Sequence, residues 1–202
     1  MIAETIEHPA SRPTYRTLVS RGGRPSLMVA DGAGAAALLA LAKGDPMVMR
    51  HAHVIYLPRG HDAGMDLQAL QPAGFTQAAS YDAVLSRLRK LLAEATMTTQ
   101  LYLAGTEALI GKVVAEALAV GLHPDAIQSE HRGSAARRMQ CVHCKGMTEE
   151  VTTDPVVCSH CGLTLFVRDH FSRRLGAFQG VCVDAEAPGD IPPTQEIAPW
   201  QG

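Results

Sequence analysis

Two Cys-x-x-Cys pairs constrain the fold of this chain more than any other feature of its sequence. Cys141 and Cys144 form the first pair, Cys158 and Cys161 form the second, and residues 145–157 separate them. Each pair can direct two thiolates at one point, and two such turns complete a tetrahedron around a metal ion. We therefore predict a small β-rich four-cysteine ribbon in which residues 145–157 form a hairpin.

The identity of the metal is left open by the ligand set. Four thiolates in a tetrahedron suit zinc, which would be structural, or a single iron of the rubredoxin type, which would carry an electron. The short loop between the pairs and an aromatic content of 4% favour zinc. His143 and His160 lie inside the two Cys-x-x-Cys turns, where a histidine ligand would strain the turn, so we expect both to be exposed. Cys182 lies in residues 180–184, where apolar side chains alternate along the sequence. This pattern predicts a short strand and a buried, inert thiol.

Composition and charge exclude several classes of protein. The chain has 202 residues, of which 47% are hydrophobic and 19% charged, which is typical of a globular protein. A net charge of −2 argues against a nucleic-acid binder. No stretch is apolar enough to span a membrane and the N-terminus lacks the pattern of a signal peptide, so we expect a cytoplasmic protein without membrane contact. Thiols stay reduced there, which favours metal ligation over disulfides.

Short apolar runs alternate with helical stretches between residues 25 and 133, which predicts an α/β domain with a parallel sheet. The predicted strands are 26–30, 53–57, 100–104 and 126–128, and the predicted helices are 35–43, 81–95 and 107–120. The rest of the chain divides into an N-terminal arm (1–24), the four-cysteine ribbon with its following strand (134–186) and an extended Pro-rich tail (187–202).

Two glycine-containing turns follow the first and third predicted strands. Gly32 and Gly34 lie in the first turn and Gly105 lies in the second. Parallel sheets bind ligands at the carboxyl ends of their strands, and glycine lets the backbone approach a phosphate closely. Tight turns also use glycine without any ligand, so we predict at most a vestigial nucleotide site here. Arg59, after the second strand, is either a phosphate or ribose contact or a solvated surface arginine.

Residues 26–132 resemble the nucleotide-binding half of ferredoxin reductases. Asp31-Gly32-Ala33-Gly34 stands where these reductases carry Gly-Gly-Thr-Gly, and Ala104-Gly105-Thr106 stands where they carry Cys-Gly-Pro. The resemblance implies a nucleotide-binding scaffold from which the nicotinamide-side residues are missing. Residues 1–24 are too few for a flavin-binding barrel, so we do not expect a complete reductase.

The C-terminal half resembles the small, non-haem subunit of dimethylamine monooxygenases. The resemblance rests on residues 130–134, on the two cysteine turns at 141–146 and 158–163, and on residues 169–175. It implies a subunit of a multi-component enzyme that N-demethylates dimethylamine with oxygen and NADPH. The implied partners are a haem-containing oxygenase subunit and a flavin and iron–sulfur reductase subunit. NADPH, FMN, an iron–sulfur cluster and haem are thus expected in the complex rather than in this chain.

Two function classes follow from these observations. The first is an accessory subunit that organises an oxidoreductase complex and aids electron transfer, and the second is a free-standing zinc-ribbon module that binds protein or nucleic acid. The slightly acidic balance, the degenerate nucleotide turns and the extended ends favour the first. We expect no catalytic residue in this chain, because a closed four-thiolate site has no open position for oxygen, and we leave open whether the chain counts as an enzyme.

Overall fold

A five-stranded parallel sheet organises the first part of the computed structural model, which describes residues 12–197. Its strands are β1 (Ser26–Asp31), β2 (Ala52–Leu57), β3 (Gly74–Gln77), β4 (Gln100–Gly105) and β5 (Ile127–His131). The helices between them are α1 (Ala35–Gly44), α2 (Gly64–Ala69), α3 (Tyr81–Ala93) and α4 (Glu107–Ala119), with short 3-10 turns at Gly32–Gly34, Pro46–His51 and Pro124–Ala126. The strand order is β3-β2-β1-β4-β5, and all neighbours are parallel.

The sheet is covered on both faces, which explains why its inner strands β1, β2 and β4 are mostly apolar. Every residue of β1 and β4 is buried. One hydrophobic cluster packs α1 on the face of Met28 and Tyr102, and another packs α3 and α4 on the opposite face. A parallel sheet needs this double cover because its crossover helices lie on its faces. The predicted α/β class with a parallel sheet is confirmed.

Strands dominate the C-terminal module, the name used here for residues 137–182. Its strands are β6 (Arg137–Cys141), β7 (Met147–Val151), β8 (Thr153–Asp154), β9 (Val156–Val157), β10 (Thr164–Ser172) and β11 (Ala177–Cys182). Five of them form a sheet in the order β7-β6-β11-β10-β9, and β8 pairs with β12 (Gln195–Glu196). A third hydrophobic cluster, which includes Phe171 and Phe178, lies under this sheet and contains three of the four paired cysteines. The predicted β-rich region with four cysteines is confirmed.

The hairpin predicted for residues 145–157 is wrong. β7 pairs with β6 at one edge of the sheet, whereas β9 pairs with β10 at the other edge. The segment therefore crosses the sheet from edge to edge instead of folding back on itself. The reason is that β6 pairs in parallel with the central strand β11, which follows it much later in the sequence.

The described part of the N-terminal arm lies along the open edge of β5. The Arg16 N–H donates to the Ser129 carbonyl at 3.0 Å, and the Leu18 N–H donates to the Glu130 carboxylate at 2.8 Å. These bonds cover part of a strand edge that would otherwise be unpaired. Residues 1–11 of the predicted arm and residues 198–202 of the predicted tail lie outside the described residues. Between residues 12 and 197, no helix has the length and apolar character needed to cross a membrane.

Candidate functional site

The four paired cysteines meet at one end of the C-terminal sheet. Cys141 is the last residue of β6 and Cys144 lies in the turn from β6 to β7, whereas Cys158 and Cys161 lie in the turn from β9 to β10. The Sγ atoms of Cys141 and Cys161 are 3.9 Å apart, and those of Cys144 and Cys158 are 3.7 Å apart. All four ligand atoms lie within 4.8 Å of one another.

These distances fit a metal tetrahedron and exclude disulfides. A disulfide needs sulfurs about 2.05 Å apart, and all four cysteines are free. A metal–sulfur bond of about 2.3 Å in a regular tetrahedron places the sulfurs about 3.8 Å apart. The thiols therefore have the spacing that a tetrahedral ion requires, and the four cysteines could hold one metal ion.

The two cysteine turns have the same backbone design. In the first turn the Lys145 N–H donates to the Cys141 carbonyl, and in the second the Gly162 N–H donates to the Cys158 carbonyl, both at 3.0 Å. Lys145 and Gly162 both have positive φ, at 62° and 75°. The Gly146 N–H points at the Cys144 sulfur at 3.3 Å. Each turn thus directs two thiols at the same point. In the first turn, the backbone N–H of Gly146 points there as well.

Because the thiols lie so close together, the pKa values of Cys158 and Cys161 shift in opposite directions. Burial raises the pKa of Cys158, but hydrogen bonds from the backbone of Cys161 and His160 and from neighbouring thiols lower it to about 6. A backbone hydrogen bond from Leu163 lowers the pKa of Cys161, but burial and the three other thiols raise it to about 12. Four thiolates this close repel one another, and a bound cation would supply the positive charge that lets all of them ionise.

The candidate metal centre lies near the surface. Cys141 and Cys158 are buried, Cys161 is half-buried and Cys144 is exposed. The side chains of His143 and His160 are exposed, as predicted. The His160 ring packs over Gly146, and its Nε2 lies 2.8 Å from the Met147 carbonyl oxygen.

Cys182 is less buried than predicted. It is half-buried at the end of β11, and its Sγ donates to Asp184 Oδ1 at 3.2 Å. The hydrogen bond to Asp184 raises the pKa of this thiol. The protonated form is therefore favoured, which is unlike an activated cysteine.

The second candidate site is the crevice between β1 and β4, where the two predicted glycine turns meet. The connections after β1 and β4 leave the sheet on opposite faces, which makes this the point where parallel sheets usually bind ligands. The centre of the crevice is Asp31, whose side chain is fully buried. Asp31 Oδ1 accepts the Thr106 N–H, and Oδ2 accepts the Thr106 hydroxyl, both at 2.7 Å.

The predicted glycines of the crevice pack against protein atoms. A Cβ on Gly34 would lie 2.1 Å from the Ala104 carbonyl oxygen, and one on Gly105 would lie 1.9 Å from Asp31 Oδ1. Gly32 has a φ of 46°, and a Cβ there would lie 3.2 Å from the His61 ring. All three glycines thus allow close approach of the two turns and their neighbours.

Arg59 is surface-exposed, as one of its two predicted roles requires, and it also pairs with two carboxylates. Its guanidinium lies 3.5 Å from Asp31 Oδ2 and 2.6 Å from Glu150 Oε1, so it joins the crevice to β7. Sequence reasoning missed Asp31, Thr106 and Glu150 as parts of this site. A polar residue directly after a buried strand is the feature that could have drawn attention to Asp31.

Comparison with known proteins identifies the family. Residues 8–127 match the N-terminal domain, and residues 138–181 the C-terminal domain, of the family described as dimethylamine monooxygenase subunit DmmA-like. The chain therefore belongs to the DmmA-like family of dimethylamine monooxygenase subunits. The resemblance predicted from the cysteine turns and their neighbours is confirmed.

A curated relative and a solved structure are similar to parts of the chain. The heme-dependent oxidative N-demethylase delta subunit of Ectopseudomonas mendocina (strain ymp) is 38% identical over 114 residues, which cover 56% of this chain and 63% of that subunit. The match thus spans less than two thirds of the relative. The ferredoxin reductase in carbazole 1,9a-dioxygenase (FAD apo form) is 22% identical with a TM-score of 0.41, and the match covers 58% of this chain and 34% of that one.

Proposed function

We propose that this chain is an accessory, non-catalytic subunit of a multi-component haem-dependent dimethylamine monooxygenase. The observation that carries the proposal is the family match, which covers both the sheet and the C-terminal module. The similarity to a subunit of heme-dependent oxidative N-demethylase supports it. In this role the chain organises the complex in the cytoplasm and leaves the oxidation of dimethylamine to its partners.

The proposed partners are a haem-containing oxygenase subunit and a flavin and iron–sulfur reductase subunit. Haem, FMN, the iron–sulfur cluster and NADPH would be bound by those subunits. The four-part division of the chain, at residues 24, 133 and 186, is part of the same proposal. It assigns the sheet and the C-terminal module to separate units joined through a shared interface.

We propose that Cys141, Cys144, Cys158 and Cys161 bind one Zn²⁺, with a single iron of the rubredoxin type as the alternative. The sulfur spacing, the matched backbone turns and the burial of two thiols support a closed structural site. Such an ion would hold the two turns together and would add its binding energy to the folding of the module. Elemental analysis with a visible spectrum distinguishes the two, since a zinc–thiolate site is colourless and an iron–thiolate site is red.

The test of the function is reconstitution with the proposed partner subunits from the same organism. We expect the chain to co-purify with them and to increase dimethylamine-dependent NADPH oxidation, while the isolated chain oxidises no NADPH. Recovery of a stable monomer that leaves the activity of the other subunits unchanged would favour the free-standing zinc-ribbon module instead. NADPH oxidation by the isolated, flavin-free chain would contradict the proposal.

A further inference from the structure

The crevice between β1 and β4 has the location of a dinucleotide site but not its chemistry. The resemblance to ferredoxin reductases implies that phosphates would bind at the turns of Gly34 and Gly105, against the helix that begins near Ala35. Between Asp31, Arg59 and Glu150, where the C-terminal module meets the crevice, the cavity has a volume of about 50 Å³, whereas small-molecule sites occupy about 300 Å³ or more. This side of the crevice is therefore too small for a dinucleotide.

The donors at the N-terminus of α4, which faces the same crevice, are already used by this chain. The backbone N–H and the hydroxyl of Thr106, the N-cap residue of α4, both donate to the Asp31 carboxylate. A phosphate at a helix N-terminus is bound by the same kind of donor. The Asp31 carboxylate thus occupies the N-terminus of α4 with its own negative charge, where an anionic ligand would otherwise bind.

The C-terminal module closes the crevice from outside. Glu150 of β7 reaches Arg59, and Arg59 in turn lies beside Asp31. Arg59 and Glu150 have positive φ, at 45° and 53°, which is uncommon for residues other than glycine and indicates that their surroundings fix them. Nearby, Lys112 of α4 pairs with Glu149 at 3.1 Å.

Backbone packing fixes the same interface. Gly111 of α4 and Gly176 in the β10–β11 turn approach so closely that a Cβ on Gly111 would lie 2.8 Å from the Gly176 carbonyl oxygen. We propose that the crevice of this parallel sheet is an internal docking site: Asp31 occupies the N-terminus of α4 in place of an anionic ligand, and the Arg59–Glu150 ion pair holds the C-terminal module over it. The module, not a dinucleotide, is the occupant of the crevice.

The first test uses the unmodified chain and NADPH as the probe. The backbone amide signals of Gly34, Gly105 and Thr106 are followed by nuclear magnetic resonance during titration with NADPH. We expect no saturable shift at these three amides, because their neighbours already fill the site. A saturable shift there would overturn the proposal, whatever the role of the chain in a larger complex.

The second test compares Glu150→Gln with Glu116→Gln by hydrogen exchange. Glu116 is a matched control, because it also pairs with an arginine, Arg89, at 2.7 Å, but within the helices of the first sheet. We expect Glu150→Gln to speed exchange roughly two- to five-fold in residues 57–61 and 147–151, and Glu116→Gln to leave both segments unchanged. Equal exchange in the two variants would overturn the docking role of the ion pair.

Discussion

At the scale of single residues, the crevice depends on the absence of a side chain at Gly34. This glycine has an ordinary helical φ of −62°, so backbone freedom is not the reason for it. A Cβ would meet the Ala104 carbonyl, and we expect Gly34→Ala to destabilise the fold by about 2–3 kcal/mol. Gly44→Ala is the control, since nothing lies within 4 Å of a Cβ there. Urea unfolding of both variants checks this, and equal stability would contradict it.

Asp31 gives the protein a pH dependence at the same site. Burial raises the pKa of Asp31 above its ordinary value, although the Thr106 hydrogen bonds and Arg59 lower it in part. The folded state thus holds this proton more tightly than the unfolded state. The resulting stabilisation is present below the ordinary Asp pKa of about 3.9 and is lost as pH rises through the raised value.

The measurement for Asp31 is urea unfolding across this pH range. Relative to wild type, we expect Asp31→Asn to gain stability as pH rises from about 4 towards neutrality, because asparagine does not titrate. Asp125→Asn, at an exposed position just before the edge strand β5, is the control substitution. A constant difference between wild type and Asp31→Asn would show that Asp31 does not titrate in this range.

At the scale of elements, the close contact between Gly111 and Gly176 fixes the position of α4 against the β10–β11 turn. Replacing Gly111 by alanine favours the helix by up to about 1 kcal/mol, but its Cβ would meet the Gly176 backbone. We expect the contact to dominate, with a net loss of about 1–2 kcal/mol and faster hydrogen exchange in the β10–β11 turn. A stabilised Gly111→Ala variant with unchanged exchange would show that the two elements move apart at no cost.

The elements also show what the sequence could and could not predict. β1 and β4 were predictable because they are short, mostly apolar runs that end at glycine turns. β3 and α2 were not predicted, because Gly74–Gln77 is largely half-exposed and Gly64–Ala69 has only six residues. The sequence did not predict that residues 145–157 cross the sheet. The crossing depends on the parallel pairing of β6 with β11, and no short sequence pattern indicates that pairing.

The same distinction holds for the two candidate sites. The cysteine cluster follows from spacing alone, since each turn carries its own pair. The Asp31–Thr106 contact joins residues that are 75 positions apart, and the Arg59–Glu150 contact joins residues 91 positions apart. Only the pairing of whole elements brings these residues together, so no local pattern could have predicted the closed crevice.

At the scale of the whole molecule, the three hydrophobic clusters predict how metal removal acts. Cys141, Cys158 and Cys161 belong to the small cluster of the C-terminal module, whereas the two larger clusters lie on the faces of the first sheet. We expect a chelator to release the ion and to open the C-terminal module, with a large increase in hydrogen exchange over residues 137–182. β1 and β4 remain protected, because their burial does not depend on the thiols.

The matched variants for this prediction are Cys158→Ser and Cys182→Ser. Cys158→Ser removes a buried ligand, so we expect substoichiometric metal and a loss of about 4 kcal/mol or more in the module. Cys182→Ser retains a full complement of metal, because this thiol is hydrogen-bonded to Asp184 outside the cluster.

Simultaneous unfolding of both sheets on chelation would show that the docking of the module on the crevice couples them into one cooperative unit. Unchanged exchange after complete removal of the ion would show that the β7-β6-β11-β10-β9 sheet is stable on its own hydrophobic core.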